Sequence, residues 1–356
     1  MVPVLSDDPH ESRVLTAALR IGEQIADEIA LVISTSGTTG IPKGAMLTPA
    51  ALIASASATH DRLGGPGTWL LALPPHHIAG MQVLIRSALA GTVPAELDIS
   101  GGFDPAELAG AVSTMGSGRR YTSLVANQLA KALTDPAGAG ALAELDAVLL
   151  GGGPAPRPVL DAAAAAGITV VRTYGSSETS GGCVYDGVPL NGVEVRIDDA
   201  GPDGQGRIVI GGATLATGYR NPPEPDPFAE PGWFVTDDIG LFDESGRLAV
   251  LGRIDDAIST GGLTVMPGPV EAVLIGHPGV AECAVFGVAD DRLGQRVVAA
   301  VVAAATAEPT AEELREWVAQ TLDRTAAPRE VHFVRELPRR GIGKLDRTAL
   351  RAQFSP

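Results

Sequence analysis

The sequence predicts an α/β protein with a large N-terminal domain, built on a mainly parallel sheet with an antiparallel β subdomain, and a small α+β C-terminal domain. Three observations carry that reading. Between residues 30 and 173 short apolar runs alternate with longer alanine-rich segments, and strand alternating with helix builds a parallel sheet covered by helices. Between 184 and 250 helical segments become scarce and short β-type runs are separated by Gly, Pro and Asp, as in antiparallel strands joined by turns. Beyond Leu251-Gly252-Arg253-Ile254-Asp255 a second, shorter set of helices and strands follows, so the domains are expected at 1–252 and 253–356.

Taken in order, the first strand is the apolar run 29–33, and a helical stretch is expected to open at Thr48 and continue over 50–63. Runs at 69–73, 120–125, 147–150 and 169–173 read as the parallel strands; 81–90, 105–115 and 156–166 read as helices between them. Pro158 and Gly167 frame the last helix at its start and end. Strands are then expected at 193–197, 208–210 and 248–251. In the C-terminal part the pattern gives a helix at 269–274, strands at 283–288 and 297–302, an amphipathic helix at 311–322 and a strand at 331–334.

Composition narrows the function classes. An apolar content of 45% with 44 glycines and 27 prolines belongs to a folded, loop-rich chain. A net charge of -16 repels nucleic acid and anionic membrane, so only small-molecule partners are expected and any anionic ligand must be held by local donors. Cys183 and Cys283 make neither a disulfide framework nor a zinc spacing. Asp7, Asp8 and Glu11 stand where a signal peptide would carry lysines and an apolar core, and no apolar run reaches the roughly 18 residues that span a bilayer. The expected compartment is the cytoplasm; a homodimer is compatible with these features but not specified by them.

The chemistry is concentrated in loops that follow strands. Ser34-Thr35-Ser36-Gly37-Thr38-Thr39-Gly40-Ile41-Pro42-Lys43-Gly44 combines glycines that free backbone N–H groups, hydroxyl donors and one mobile cation, the components of a phosphate-binding loop. It is not a Walker A loop, because no Gly-Lys-Ser/Thr triplet stands at the required spacing. Pro74-Pro75-His76-His77-Ile78-Ala79-Gly80 puts histidines at the carboxyl end of a strand, where α/β sheets bind ligands. Gly151, Gly152 and Gly153 let backbone approach a flat group, or simply make a tight turn. Tyr174-Gly175-Ser176-Ser177-Glu178-Thr179 follows the next strand, and its carboxylate is of the kind that holds a hard cation against phosphate oxygens. Each of these alone has a bland reading, a linker, a core histidine or a solvated loop acid.

Their order changes the odds. Ser36-Gly37-Thr38-Thr39-Gly40-Ile41-Pro42-Lys43-Gly44 resembles the signature loop of the adenylate-forming superfamily, which holds acyl-CoA synthetases, adenylation domains and luciferases. The partner motifs follow in that superfamily's order through Pro338-Arg339-Arg340-Gly341-Ile342-Gly343-Lys344-Leu345, which is similar to its C-terminal lysine loop. The resemblance implies ATP, Mg2+ and CoA as the small molecules used. It implies that Ser36, Gly37, Thr38, Thr39, Gly40 and Lys43 meet phosphates, that Gly151, Gly152, Gly153 and Tyr174 meet adenine, and that Ser177 meets phosphate while Glu178 binds the metal. Gly232-Trp233-Phe234-Val235-Thr236-Asp237-Asp238 resembles the ribose-binding motif, with Asp238 on the ribose hydroxyls and Asp237 where glycine is usual. Gly252-Arg253-Ile254-Asp255-Asp256 resembles the hinge, with Arg253 near ribose or phosphates and Asp255 as the pivot of a mobile C-terminal domain that delivers catalytic Lys344.

Only 33 residues precede Ser34, far fewer than in most of that superfamily, so a truncated version of its fold with a shortened first lobe is expected. The stretches 77–87 and 122–129 look most like o-succinylbenzoate:CoA ligases of menaquinone biosynthesis. That implies His77, Arg86 and Ser123 around the acyl substrate and a reaction through an acyl-adenylate. Another aryl or short-chain acid, a stand-alone enzyme that loads a carrier protein, and a catalytically silent nucleotide-binding protein remain as alternatives. Retention of Lys43, Glu178, Asp238, Arg253 and Lys344 together favours an enzyme, since mere nucleotide binding has no use for Lys344.

Overall fold

In the computed structural model, residues 9–35, 42–304, 309–340 and 344–354 are described. The chain begins with α1 (Pro9–Ala18), β1 (Leu31–Thr35), β2 (Lys43–Leu47), α2 (Pro49–Arg62), β3 (Thr68–Leu71), α3 (Ile78–Ala90) and β4 (Ala95–Glu96). There follow α4 (Leu108–Ser113), β5 (Arg120–Val125), α5 (Ala126–Thr134), α6 (Pro136–Ala143), β6 (Ala147–Gly151), α7 (Arg157–Ala165) and β7 (Val170–Ser176). Next come β8 (Gly181–Tyr185), β9 (Val188–Pro189), β10 (Val193–Asp198), β11 (Gly206–Gly212), β12 (Trp233–Phe242) and β13 (Leu248–Arg253). The last part holds β14 (Ile258–Thr260), β15 (Leu263–Val265), α8 (Pro267–Ile275), β16 (Val280–Asp290), β17 (Gly294–Ala303) and α9 (Ala311–Thr321). It ends with β18 (Glu330–Phe333), β19 (Arg339–Arg340), β20 (Lys344–Leu345) and α10 (Arg347–Phe354).

These elements form two compact units. The first holds the described residues up to 152 with 163–196 and 209–236; the second holds 153–162, 197–208 and the described residues from 237 onward. The cuts fall inside β10, β11 and β12, and the boundary expected at 252 lies within the second unit.

The first unit is organised by a seven-stranded sheet of order β4-β3-β5-β6-β7-β8-β9. Its members from β4 to β7 run parallel, and β8 and β9 are added antiparallel. The middle strands are largely buried because both faces are covered: Trp69, Leu70, Tyr121, Leu124, Val148 and Leu149 are in the core, and the polar Thr122 and Ser123 of β5 are buried with them. The α2 helix opens where expected, with the Thr48 hydroxyl accepting from the Ala51 N–H at 3.1 Å and Pro49 at its first position.

Two features differ from or add to the sequence reading. The run at 29–33 does not join the parallel sheet: β1 pairs antiparallel with β2 in a separate two-stranded ribbon, Thr35 opposite Lys43 and Leu31 opposite Leu47. Lys43-Gly44-Ala45-Met46-Leu47 contains no β-branched residue, so it does not read as a strand from propensity. Helices α5 and α6 were also hidden, the second by Gly138 and Gly140, although Asp135 caps it through the Gly138 N–H and Pro136 opens it.

In the second unit β14 to β18 form a sheet of order β15-β14-β17-β16, with β18 added parallel to β17. Alternate residues of β16 and β17 serve two cores. Val285, Val297, Ala299 and Val301 pack with residues of α8 and α9, while Ala284, Phe286, Val298 and Ala300 pack with Leu350 of α10. The α9 helix carries a reciprocal cap: Thr310 Oγ1 accepts from Glu313 N–H at 3.2 Å, and Glu313 Oε2 accepts from Thr310 N–H at 2.7 Å. No helix among the described residues is long and apolar enough to cross a membrane.

Gly80 shows how tightly α3 is seated. A Cβ there would stand 2.3 Å from the Pro74 carbonyl oxygen and 2.7 Å from that of Leu73, so α3 enters against the end of the segment that follows β3. Gly80→Ala is expected to lower stability by about 1–3 kcal/mol, the usual cost of overpacking, read as a shift in the urea unfolding midpoint at unchanged m-value.

Candidate active site

Two candidate residues of the first unit, Lys43 and Glu178, meet at Tyr219, Glu178 on the turn that follows β7. Glu178 lies in the short 3-10 turn Ser177–Thr179 and is only 7% exposed. Its Oε1 accepts a hydrogen bond from the Tyr219 hydroxyl at 2.6 Å. Tyr219 belongs to the segment lying along the free side of β2. Met46 N–H donates to the Gly218 carbonyl at 2.9 Å, Arg220 N–H donates to the Gly44 carbonyl at 2.8 Å, and Ala45 forms a bridge with Tyr219. The Asn221 side chain closes the pairing, accepting from Gly44 N–H at 3.0 Å and donating to the Pro42 carbonyl at 2.7 Å. The Lys43 ammonium then stands 5.4 Å from the centroid of the Tyr219 ring. Lys43 and Glu178, 135 positions apart in the chain, are thus brought onto one tyrosine.

The turn is fixed from behind. Ser55 Oγ of α2 and Gln82 Nε2 of α3 both donate to the Ser180 carbonyl, at 3.0 and 2.8 Å. His77 is the residue before α3, at its N-cap, with its ring 4.4 Å from that of His76. Arg86 lies further along α3, 3% exposed, with its guanidinium carbon 4.9 Å from the Trp69 ring centroid and Nη2 donating to the Tyr185 hydroxyl at 3.4 Å. Burial holds the Arg86 pKa below its ordinary value, against the opposing influence of Tyr185. Its Nε, His60 Nε2 and the Trp69 Nε1 are buried with no hydrogen-bond partner among the described residues. The pKa of His60 is lowered by burial and then by the Arg86 charge, with Asp61 opposing.

Ser123 is buried on β5 beside Leu149 of β6. Tyr174 lies on β7 opposite Val184, next to a register shift at Gly175. Gly151 has a packing reason of its own, since a Cβ there would meet Thr173 Oγ1 at 2.5 Å, and Gly152 turns the chain at φ +82°. Gly153 falls in the second unit. Ser36, Gly37, Thr38, Thr39 and Gly40 lie outside the described residues, in the connection from β1 to β2.

The second unit holds the remaining candidates. Asp238 of β12 pairs in register with Arg253 of β13. Arg253 donates to both oxygens of Asp255, at 2.9 and 3.3 Å, and to Asp237 at 3.1 Å. Burial works against the Arg253 charge, but the Asp255 hydrogen bond and the charges of Asp255, Asp237 and Asp238 outweigh it and hold the pKa above its ordinary range. Asp237 is exposed and ion-paired rather than unopposed. Lys344 lies on β20, paired through the backbone with Arg340 of β19. Its side chain, like residues 341–343, is outside what is described. Among the described residues no three or more of His, Cys, Asp or Glu converge to hold a metal. Cys183 is fully buried and its thiol is pushed up to about 12 by burial. The Cys283 thiol is raised too, by burial and the nearby Glu271 charge.

A family model described as AMP-binding enzyme matches residues 5–220, and one described as AMP-binding enzyme C-terminal domain matches 269–344. The chain belongs to the AMP-binding enzyme family. This AMP-binding enzyme is 69% identical, over 99% of its length and 92% of the relative's, to a Mycobacterium tuberculosis protein named "Probable 2-succinylbenzoate--CoA ligase". It is 38% identical to the 2-succinylbenzoate--CoA ligase of Geobacillus kaustophilus, over 91% of this chain and 69% of that one. Among solved structures, o-succinylbenzoate CoA synthetase from Bacillus subtilis in complex with the acyl-adenylate OSB-AMP matches with a TM-score of 0.78 at 30% identity, over 92% of this chain and 69% of that chain. An amide bond synthetase from Marinactinospora thermotolerans matches with a TM-score of 0.82 at 30% identity, over 93% of this chain and 71% of that one.

Tyr219, the hydrogen-bond partner of Glu178, is a residue of the candidate site that sequence reasoning passed over. Its signal was present, since Thr217-Gly218-Tyr219-Arg220-Asn221-Pro222 places an aromatic among turn residues, but nothing local tells that its hydroxyl reaches Glu178. Tyr219→Phe leaves a nearly buried carboxylate without this donor and is expected to cost about 1.5–3 kcal/mol, the range for hydrogen bonds to charged groups. Chemical denaturation of the Tyr219→Phe and Glu178→Gln variants and of the double variant measures the coupling. Separately, unfolded His60 titrates near its ordinary 6.5 while folded His60 resists protonation. The unfolded chain therefore binds more protons just below that value, and stability falls as the pH drops through it. Replacing His60 with Gln should remove that part of the pH dependence.

Proposed function

We propose that this enzyme joins o-succinylbenzoate to CoA through an acyl-adenylate, a step of menaquinone biosynthesis. The observation that carries the reading is the 69% identity to the mycobacterial ligase across 99% of the chain. In the first half-reaction the succinyl carboxylate attacks the α-phosphate of ATP and pyrophosphate leaves. In the second the CoA thiol attacks the acyl carbon and AMP leaves. A carboxylate gains a usable leaving group only by this detour.

The roles follow from the chemistry of the donors. The 36–40 loop and Lys43 hold phosphates; Tyr174 and Gly151, Gly152 and Gly153 face the adenine; Ser177 meets phosphate and Asp238 the ribose hydroxyls. Arg253 joins the nucleotide by exchanging an exposed ion pair with Asp237, an interaction cheap to give up in water. Glu178 suits Mg2+: with Tyr219 on one oxygen it remains an oriented carboxylate, and Mg2+ keeps several waters and takes its other ligands from phosphates, so one protein carboxylate suffices. When bound, the ion supplies charge neutralisation at the phosphates. His77 and Ser123 line the acyl group. Arg86, buried with its Nε unpaired, answers the ring carboxylate, directly or through water, because that second charge is buried with the substrate. Residues 253–356 act as the mobile part, pivoting at Asp255 to bring Lys344 to the reacting phosphate. The enzyme works in the cytoplasm on small molecules, without nucleic acid or membrane.

A second reading comes from the amide bond synthetase neighbour: the same adenylate would pass its acyl group to an amine. Pyrophosphate release with ATP and o-succinylbenzoate, followed by AMP release that needs CoA and not an amine, decides for the ligase. No release with any acid of a panel returns the chain to a silent nucleotide-binding protein. Lys344→Ala is expected to slow adenylation by about 10² to 10³, as for loss of one oxyanion donor, and to leave thioester formation from preformed acyl-adenylate nearly normal. Arg86→Ala should raise the KM for o-succinylbenzoate far more than that for ATP; equal effects leave Arg86 a structural role only.

A further inference from the structure

A half-buried ion network of the second unit lies beside the two ends of its proposed lever. Asp256 immediately follows the proposed pivot Asp255, and Arg347 comes three residues after Lys344. Asp256 accepts on both oxygens, from Arg347 Nη1 at 3.3 Å and from Arg351 Nη2 at 3.0 Å. Arg347 Nη2 also donates to both oxygens of Glu271 in α8, at 2.6 and 2.8 Å. The Asp256, Arg347 and Glu271 side chains are 20%, 19% and 14% exposed, well below the Arg253 clasp at 38–53%.

The network also reaches backbone. Val285 lies on β16, an edge of its sheet, and its N–H donates to Glu271 Oε1 at 2.7 Å while its carbonyl accepts from Arg347 Nε at 3.2 Å. Both free groups of an edge residue are thereby satisfied by the same ion pair. On the other side of Lys344, Arg339 of β19 pairs with Glu282 of β16. Asp346 between them caps α10, accepting from Ala349 N–H at 3.0 Å. The lysine-bearing hairpin is therefore fastened before and after Lys344, and one of its fastenings runs straight to the residue behind the pivot.

We propose that Asp256 and Arg347 are positioning residues for Lys344: they lock the first turn after the pivot to the start of α10, so that a rotation at Asp255 is delivered undiminished to the lysine. This rests on the reading of Lys344 as the adenylation lysine and of Asp255 as the pivot. A fork of an arginine onto two carboxylates suits the task, since its planar geometry resists the shear that a single flexible ammonium would allow. A lysine misplaced by about 1 Å loses up to 10²-fold in rate, without any change in what the rest of the chain binds.

The test measures both half-reactions in Asp256→Asn, Asp256→Glu, Arg347→Lys and Lys344→Ala, with thermal unfolding of each. The expected result is a fall of about 10- to 50-fold in pyrophosphate release for Asp256→Asn and Arg347→Lys. Their thioester formation from preformed acyl-adenylate should stay within about threefold, and Asp256→Glu should recover most of the first step. If Lys344→Ala is selective for adenylation but Asp256→Asn and Arg347→Lys slow both steps alike, or neither, the positioning role is overturned while the lysine keeps its own. If Lys344→Ala is not selective, the lysine reading fails and this proposal fails with it.

Discussion

Strand β2 is held on both sides by backbone, by β1 on one and by residues 218–220 on the other, and this double pairing is the constraint from which the site grows. Without it Lys43 would be a lysine at the end of a ribbon and Tyr219 an aromatic in a loop. With it, the ring lies next to the ammonium and its hydroxyl reaches the carboxylate of a residue delivered by the parallel sheet. A cation and an anion are thus set apart by a neutral aromatic spacer. Had they met directly they would have neutralised each other, and neither would have charge left for a ligand.

The fold was legible where hydrophobic period and length agreed. The strand at Ala147–Gly151 is an almost wholly apolar run in the middle of its sheet, and α9 shows an amphipathic period along its whole length. It was illegible where tertiary pairing overrides propensity: β2 is a strand because two partners hydrogen-bond it, and its composition does not say so. The same division runs through the site. Ordered motifs pointed to Glu178, Asp238, Arg253 and Asp255 as residues, while the Tyr219 contact to Glu178 is made by folding. Asp237, odd against its resemblance, becomes intelligible once Arg253 is seen between two carboxylates.

The two units use charge differently. In the first, Arg86 is buried with an aromatic face and a phenol for company, a costly arrangement unless something anionic completes it. In the second, Arg347 donates to Asp256, to both oxygens of Glu271 and to the Val285 carbonyl, so little of it is left to offer a ligand.

The cysteines carry a consequence for the chemistry around them. A protein that handles an activated acyl group beside a free thiol would acylate itself if one of its own sulfurs were nucleophilic, and only a thiolate is. Cys183 is sealed in the core and Cys283 sits against Glu271, both held in the protonated state by burial. Both thiols are therefore poor nucleophiles at neutral pH. A single cysteine introduced on the surface would be more reactive than either native one.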